Sequence, residues 1–467
     1  MRRGFVLQKY AELRHYFGDI SLILGWQYIP DFVSVIEATV RPLKEEMVKK
    51  YKTSKVFVPG GMPRLTYVPR EAIKLEATLR NAVINLHKLI TVTGQTKSGK
   101  TVLVNTVLPR ADSDQNIWID GGSVASEDDF WTIILHELGE ATTLEENSSS
   151  SSTKSVDGEI QGGVGVPLIA DIKGKTKTGL RKANASGKSK KLELTPRTAA
   201  LRALRDFDGS IVVDDFHYLD RTFQGSVIRA LKPLIFEGLP VVLIAIPHRR
   251  YDAVRVEREM TGRIEDIEVP SWSLEELELI PSTGFPLLNA RLAPGLGRQF
   301  ASQAYGSPHL MQEFCQRRAL QEGLTETSRS RVTISSVDDD LYHQAAEGTG
   351  KVIYDKLSKG PRQRSDRLQR SLSEGGTVDI YGVVLKALSV LAPGLETVEY
   401  EQLRAAIRQV LDETPPQAHE VTRVLERMAE IAASDEASTP VIDWEKEEQK
   451  LHITDPFFAF YLKWGGV

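Results

Sequence analysis

Cysteine is nearly absent from this chain. Cys315 is the only one in 467 residues, which excludes an internal disulfide and a cysteine-based zinc site. A lone thiol suits a reducing cytosol and is expected to be buried as a small hydrophobe. Long apolar runs are missing as well. None is longer than Val241–Ile246, far too short to cross a bilayer. Met1-Arg2-Arg3 is basic, but no apolar signal core follows it. Neither sign of charge prevails: 59 Lys and Arg stand against 63 Asp and Glu, for a net charge of −4. Bulk attraction to nucleic acid or to a membrane surface is therefore not expected. These absences predict a cytoplasmic globular protein with no membrane association. With 41% hydrophobic and 26% charged residues, the chain is long enough for about three domains of ~150 residues.

What is present is more specific. Residues 94–101 read Gly-Gln-Thr-Lys-Ser-Gly-Lys-Thr, a full match to G-x-x-x-x-G-K-[ST]. The apolar run Leu89-Ile90-Thr91-Val92 before it predicts a strand, and Thr101 to Leu108 after it predicts a helix. A strand that feeds a glycine-rich turn into a helix N-terminus makes a phosphate cradle. Gly94, Gln95, Thr96, Lys97, Ser98, Gly99, Lys100, Thr101 and Val102 are the candidate nucleotide-binding residues. Gly94 and Gly99 let the backbone approach phosphate oxygens. Lys100 would reach the β- and γ-phosphates, and the Thr101 hydroxyl would take one Mg²⁺ position.

Hydrolysis would also need an acid for the metal and a group to orient water. Ser210-Ile211-Val212-Val213-Asp214-Asp215-Phe216-His217 reads as a buried parallel strand that ends in two acids. Asp214 would hold Mg²⁺ through water, and Asp215 would polarise the lytic water. An Asp-Asp helix cap is the alternative. The glycine turn and the two aspartates are expected on adjacent strands of one sheet. His217 would touch the γ-phosphate or a neighbouring subunit. The run Pro240–Ile246 ends in Pro247-His248-Arg249-Arg250, where His248 or Arg249 is the candidate phosphate sensor; a solvated basic turn reads equally well. Arg263 precedes another strand, Ile267–Val269, and is a candidate arginine finger toward a neighbour's nucleotide, against the alternative of a surface arginine.

With these pieces in order, the chain resembles the AAA+/STAND branch of P-loop ATPases, the group that includes origin-recognition-like and NACHT-like ATPases. Beyond the two motifs, Tyr67-Val68-Pro69-Arg70-Glu71 resembles the Arg-Glu box that packs near the adenine. Ser271 to Leu277 resembles the passage into the lid, and Gly306-Ser307-Pro308 resembles the lid's Gly-x-Pro turn. The resemblance covers about residues 65–325. It implies ATP and Mg²⁺ as ligands, Arg70 and Pro308 beside the base, a P-loop α/β core with a parallel sheet, a helical lid and a homo-oligomer. Asp215 stands where the family commonly has Glu, and no clear second-sensor arginine follows the Gly-x-Pro turn. There is no Asn-Lys-x-Asp guanine box and no Leu-Ser-Gly-Gly-Gln run, so GTPase and ABC-type readings fit worse.

The expected segments are a helical N-terminal stretch (1–62), the ATPase core (63–270), the lid (271–350), a basic linker (351–377) and a winged-helix domain (378–467). A Ser/Gly/Lys-rich insert at about 145–195 cannot bury enough apolar surface to order itself. The basic stretches 173–191 and 351–371 are candidates for nucleic-acid contact, with solvated basic faces as the alternative. In the tail, Val383–Leu388, Tyr400–Val410 and Val421–Ile431 read as helices, and Val441–Trp444 and Leu451–Thr454 as wing strands. Glu426, Glu430, Glu445, Glu447 and Glu448 make this module acidic, which favours protein contact over base reading. Three functions stay open: an ATP-driven signalling or defence switch with a separate effector, a DNA-associated initiator or loader, and a nucleotide-binding scaffold with little turnover.

Overall fold

The computed structural model describes residues 50–112, 115–139, 195–246, 262–361, 367–391, 397–433 and 440–466. Most of the N-terminal helical stretch, the 145–195 insert with its basic residues, and His248 and Arg249 lie outside the described residues. The chain divides into two compact units, one of residues 69–271 and 352–458, the other of residues 1–68, 272–351 and 459–467.

The first unit is built on a five-stranded sheet. Its strands are β1 (Leu89–Gly94), β2 (Asn116–Asp120), β3 (Ser210–Asp214), β4 (Val241–Ile244) and β5 (Ile264–Val269), in the order β2-β3-β4-β1-β5. Every pairing is parallel. Parallel strands need crossovers, and after α1 (Leu75–Asn85) leads into β1, helices supply them: α2 (Lys100–Val107), α3 (Glu127–Glu137), α4 (Pro196–Ala203) and α5 (Arg221–Glu237). Alternate strand residues feed two cores. Leu89, Ile117, Ile119, Ile211, Val213, Val241 and Leu243 pack with α3, α4 and α5. Ile90, Val92, Val212, Val242, Ile244, Ile267 and Val269 pack with α1 and α2. Both faces are covered, which explains why β1, β3 and β4 read as nearly unbroken apolar runs. Each such buried side chain contributes roughly 1.5–3 kcal/mol.

One expectation fails here. β1 and β3 are not neighbours, because β4 lies between them and pairs with both. Strand adjacency is set by how α5 returns the chain to the sheet, and no residue within either motif encodes it.

The second unit carries α6 (Leu274–Leu287), the short parallel pair β6 (Ala290–Leu292) and β7 (Val332–Ile334), α7 (Leu296–Gln303), α8 (Pro308–Gln321) and α9 (Asp340–Glu347). Ser273 starts α6 with a reciprocal capping box to Glu276. Residues 53–66 pack onto these helices: Phe57 meets Phe285 at 4.9 Å between ring centres, and the Gln312 side chain donates to Thr66 Oγ1 at 2.8 Å.

Residues 352–458 rejoin the first unit. After α10 (Lys351–Lys359) and the antiparallel pair β8 (Arg370–Ser371) and β9 (Thr377–Val378) come α11 (Ile380–Val390), β10 (Thr397–Glu399), α12 (Tyr400–Val410), α13 (Ala418–Ala433), β11 (Ile442–Glu445), β12 (Lys450–Ile453) and α14 (Pro456–Trp464). The strands form an antiparallel sheet in the order β10-β12-β11. This is the element order the sequence predicts for a winged helix, with β10 added. Three residues were too few for β10 to show as a pattern in the sequence.

Candidate nucleotide-binding site

β1 ends at Gly94, whose φ is 155° and whose place no other residue could fill. A Cβ there would lie 2.3 Å from the Val269 carbonyl oxygen of β5. The loop that follows turns through two left-handed residues, Lys97 (φ 63°) and Gly99 (φ 93°), and Gly99 is the N-cap of α2. Such turns point successive N–H groups into one concavity, and the helix dipole adds positive potential. The Thr96 hydroxyl is buried and makes no hydrogen bond, and Ser98 is buried beside it. Gln95 is tied outward, its side-chain carbonyl accepting from the Ser271 hydroxyl at 2.8 Å. Val102 sits half-buried one turn into α2.

Lys100 is the buried cation of this loop. Its Nζ donates to the carbonyls of Gly94 (2.9 Å) and Gln95 (2.8 Å). Burial lowers its pKa to about 8, against the opposing pull of Asp215 and Asp214. Across the crevice stand those two acids, at the C-terminal end of β3. The Thr101 hydroxyl donates to Asp214 Oδ1 at 3.1 Å, so the phosphate loop and the aspartate strand meet although β4 separates their strands.

This is a P-loop NTPase core.

Asp214 is buried, and its pKa is pushed up to about 6 by burial first and the Asp215 charge second. The excess negative field beside a hydroxyl suits a divalent cation. Among the described residues no group of three or more His, Cys, Asp or Glu could hold a metal ion. One hydroxyl and one carboxylate fit Mg²⁺, which draws its remaining ligands from water and phosphate, and do not fit zinc. Asp215 adopts a left-handed backbone, φ 50° and ψ 43°. Burial raises its carboxyl pKa, and Lys100 partly offsets this.

The other candidates divide. His217 is buried in the turn just after β3, its ring 4.4 Å from that of Tyr218. Arg70 is buried, but its guanidinium donates to the carbonyls of Pro270 (2.6 Å) and Ser271 (3.3 Å). It clasps the end of β5, and its charge is committed there. Arg263 precedes β5 at the opposite end of the sheet from Gly94, with its guanidinium over the Phe236 ring at 5.9 Å. Within one chain, Arg263 is thus not brought to the phosphate loop. Pro308 is the first residue of α8, capped by Ser307, and belongs to the other compact unit.

Three further residues stand at the site, none of them assigned to it from the sequence alone. Asp120 ends β2 directly opposite Asp214 and raises the pKa of Asp215. Its signal was present: Ile117-Trp118-Ile119-Asp120 is an apolar strand ending in an acid, like β3. Phe457 and Asp455 belong to the tail. Lys97 Nζ lies 5.4 Å from the centre of the Phe457 ring, and Asp455 accepts the N–H groups of Phe457 (2.7 Å) and Phe458 (3.0 Å). Burial raises the Asp455 carboxyl pKa. No sequence pattern could have brought position 457 to position 97.

No protein-family model and no curated protein matches the chain. Among solved structures it is similar to a Walker-type ATPase of Pyrococcus abyssi, at 14% identity over 85% of this chain and 96% of that one, with a TM-score of 0.47. It is similar to the ORC1 protein of Aeropyrum pernix in complex with DNA, at 13% identity over 88% of this chain and 96% of that one, with a TM-score of 0.41. A third likeness is to a STAND protein with a tetratricopeptide-repeat sensor from Pyrococcus horikoshii, at 13% identity over 84% of this chain and 42% of that one, with a TM-score of 0.34. Likenesses this distant add no weight; the fold rests on the parallel sheet and its phosphate loop.

Proposed function

We propose that this protein binds and hydrolyses ATP as a molecular switch of the AAA+/STAND type. The observation that carries the reading is the meeting of Thr101 and Asp214 beside the buried Lys100. Lys100 and the loop N–H groups hold the triphosphate. Thr101 and Asp214 would hold Mg²⁺, which would supply charge neutralisation for phosphoryl transfer. Asp215 orients the attacking water and accepts its proton. The bound triphosphate competes for groups that now satisfy one another: Lys100 leaves the carbonyls of Gly94 and Gln95 for phosphate oxygens. A ligand that makes more contacts in one conformation shifts the population toward it, and hydrolysis withdraws those contacts. Lys97 against Phe457 makes the winged-helix tail the region nearest the change. Homo-oligomerisation and a separate protein effector complete the reading.

The DNA-associated alternative loses support in the linker. Arg367 pairs with Asp379 at 2.7 Å, and Arg370 is buried between Glu413 and Glu420 at 3.5 Å each. These two of its basic residues are spent inside the tail and are not displayed to a phosphate backbone. The deciding experiment is Mg-ATP binding and phosphate release by wild type and Asp215→Asn. The expected result is retained binding with turnover lost. Retained hydrolysis would move the water-orienting role to another residue, and duplex DNA that stimulates turnover in a salt-dependent way would restore the alternative.

A further inference from the structure

We propose that the turn Asp120-Gly121-Gly122 is a positioning clamp, which holds Asp215 in its left-handed conformation for the attacking water. The inference rests on the role proposed above for Asp215. An aspartate at φ 50° and ψ 43° sits in a sparsely occupied region, and such a residue persists only where its surroundings over-determine it. Two contacts lie within its own turn: the Asp215 N–H donates to Asp214 Oδ1 at 3.1 Å, and the Asp215 carbonyl accepts the Tyr218 N–H at 2.9 Å. The third comes from β2. Gly121 is pressed onto the same peptide, and a Cβ at 121 would lie 2.5 Å from the Asp215 carbonyl oxygen and 3.0 Å from that of Asp214. Those atoms are backbone and cannot step aside without turning Asp215.

The turn is itself fixed. Asp120 is in register with Asp214, its Oδ1 accepts the Gly122 N–H at 3.0 Å, and its carbonyl accepts the Ser123 hydroxyl at 2.8 Å. A Cβ at 122 would meet the Tyr218 ring at 3.0 Å, so the turn after β2 interlocks with the turn after β3. The two consecutive glycines thus have different reasons: the backbone of Asp214 and Asp215 fills the space where a side chain at 121 would go, and the Tyr218 ring stands against the space at 122. Asp120 acts through the turn it closes, so an acceptor is what it must provide.

The test compares Gly121→Ala, Asp120→Ala and Asp120→Asn for ATP dissociation constant, kcat and amide exchange over 215–219. Gly121→Ala is expected to lose about 100-fold in kcat, the scale of a ~1 Å misplacement, with ATP affinity within about threefold of wild type. Asp120→Ala, which opens the turn, is expected to lose about tenfold. Asp120→Asn keeps an acceptor for Gly122 and is expected to recover that loss. Exchange at 215–219 rises in Gly121→Ala and Asp120→Ala, and returns in Asp120→Asn. Wild-type kcat in Gly121→Ala, or equal failure of Asp120→Asn and Asp120→Ala, overturns the clamp. If Gly121→Ala does not fold, the two Asp120 variants decide. Wild type that binds ATP without turning it over would sink the catalytic role of Asp215; the clamp would then stand or fall on exchange alone, and unchanged exchange in Gly121→Ala would overturn it.

Discussion

The two ends of the five-stranded sheet are built from the same strands and differ in almost every respect. At the C-terminal end a buried lysine faces the buried Asp214 and the half-buried Asp215, Lys97 and Asp215 hold left-handed backbones, and a buried hydroxyl on Thr96 goes without a hydrogen bond. At the N-terminal end, charge is arranged for solvent. Lys88 pairs with Glu265 at 2.9 Å with about a third of each side chain exposed, Arg263 lies over Phe236, and Phe236 is 68% exposed. Strain and desolvated charge cost stability, so their concentration at one end marks where a ligand repays them.

That contrast can be broken by substitution. Lys100→Ala should have the largest effect, weakening ATP on the order of 100-fold or more, since it removes charge-assisted hydrogen bonds to phosphate in a buried site. Isothermal titration checks this, and an unchanged dissociation constant would remove the basis of the account. pH gives the next effect. Lys100 must be charged to hold phosphate, and its pKa is about 8, so affinity should fall above pH 8 by about tenfold per unit. Asp214 must be ionised to hold Mg²⁺, and its pKa is about 6, so Mg²⁺-dependent affinity should also fall below pH 6. Affinity measured across pH 5–9 should therefore peak between about 6 and 8; a flat profile would separate these groups from binding.

At the other end of the sheet the effects shrink. Lys88→Ala should cost under about 1 kcal/mol in denaturant unfolding, as exposed pairs do. Arg263→Ala should leave ATP affinity within about twofold, because a six-residue strand places it roughly 20 Å from Gly94, beyond a Debye length. Turnover that falls in Arg263→Ala only as protein concentration rises would instead show an arginine finger acting between subunits.

Both halves of the candidate site were legible in the sequence. A glycine-rich turn between strand and helix, and an apolar run ending in acids, each need only local order to be recognised. The parallel sheet followed from those runs. Asp120 is legible in the same way, as an apolar run that ends in a single acid. Arg70 illustrates the reverse: a motif resemblance singles it out, and only the structure shows its guanidinium donating to the carbonyls of Pro270 and Ser271, just past β5.

The sequence alone picked out the residues proposed to hold phosphate, because backbone conformation and side-chain type within eight residues set that chemistry. Tertiary structure decided the rest. It inserted β4 between the two motif strands, laid Gly121 on the Asp215 peptide and brought Phe457 to Lys97. These contacts join residues far apart in the chain, and packing of whole elements selects them, so no local pattern records them.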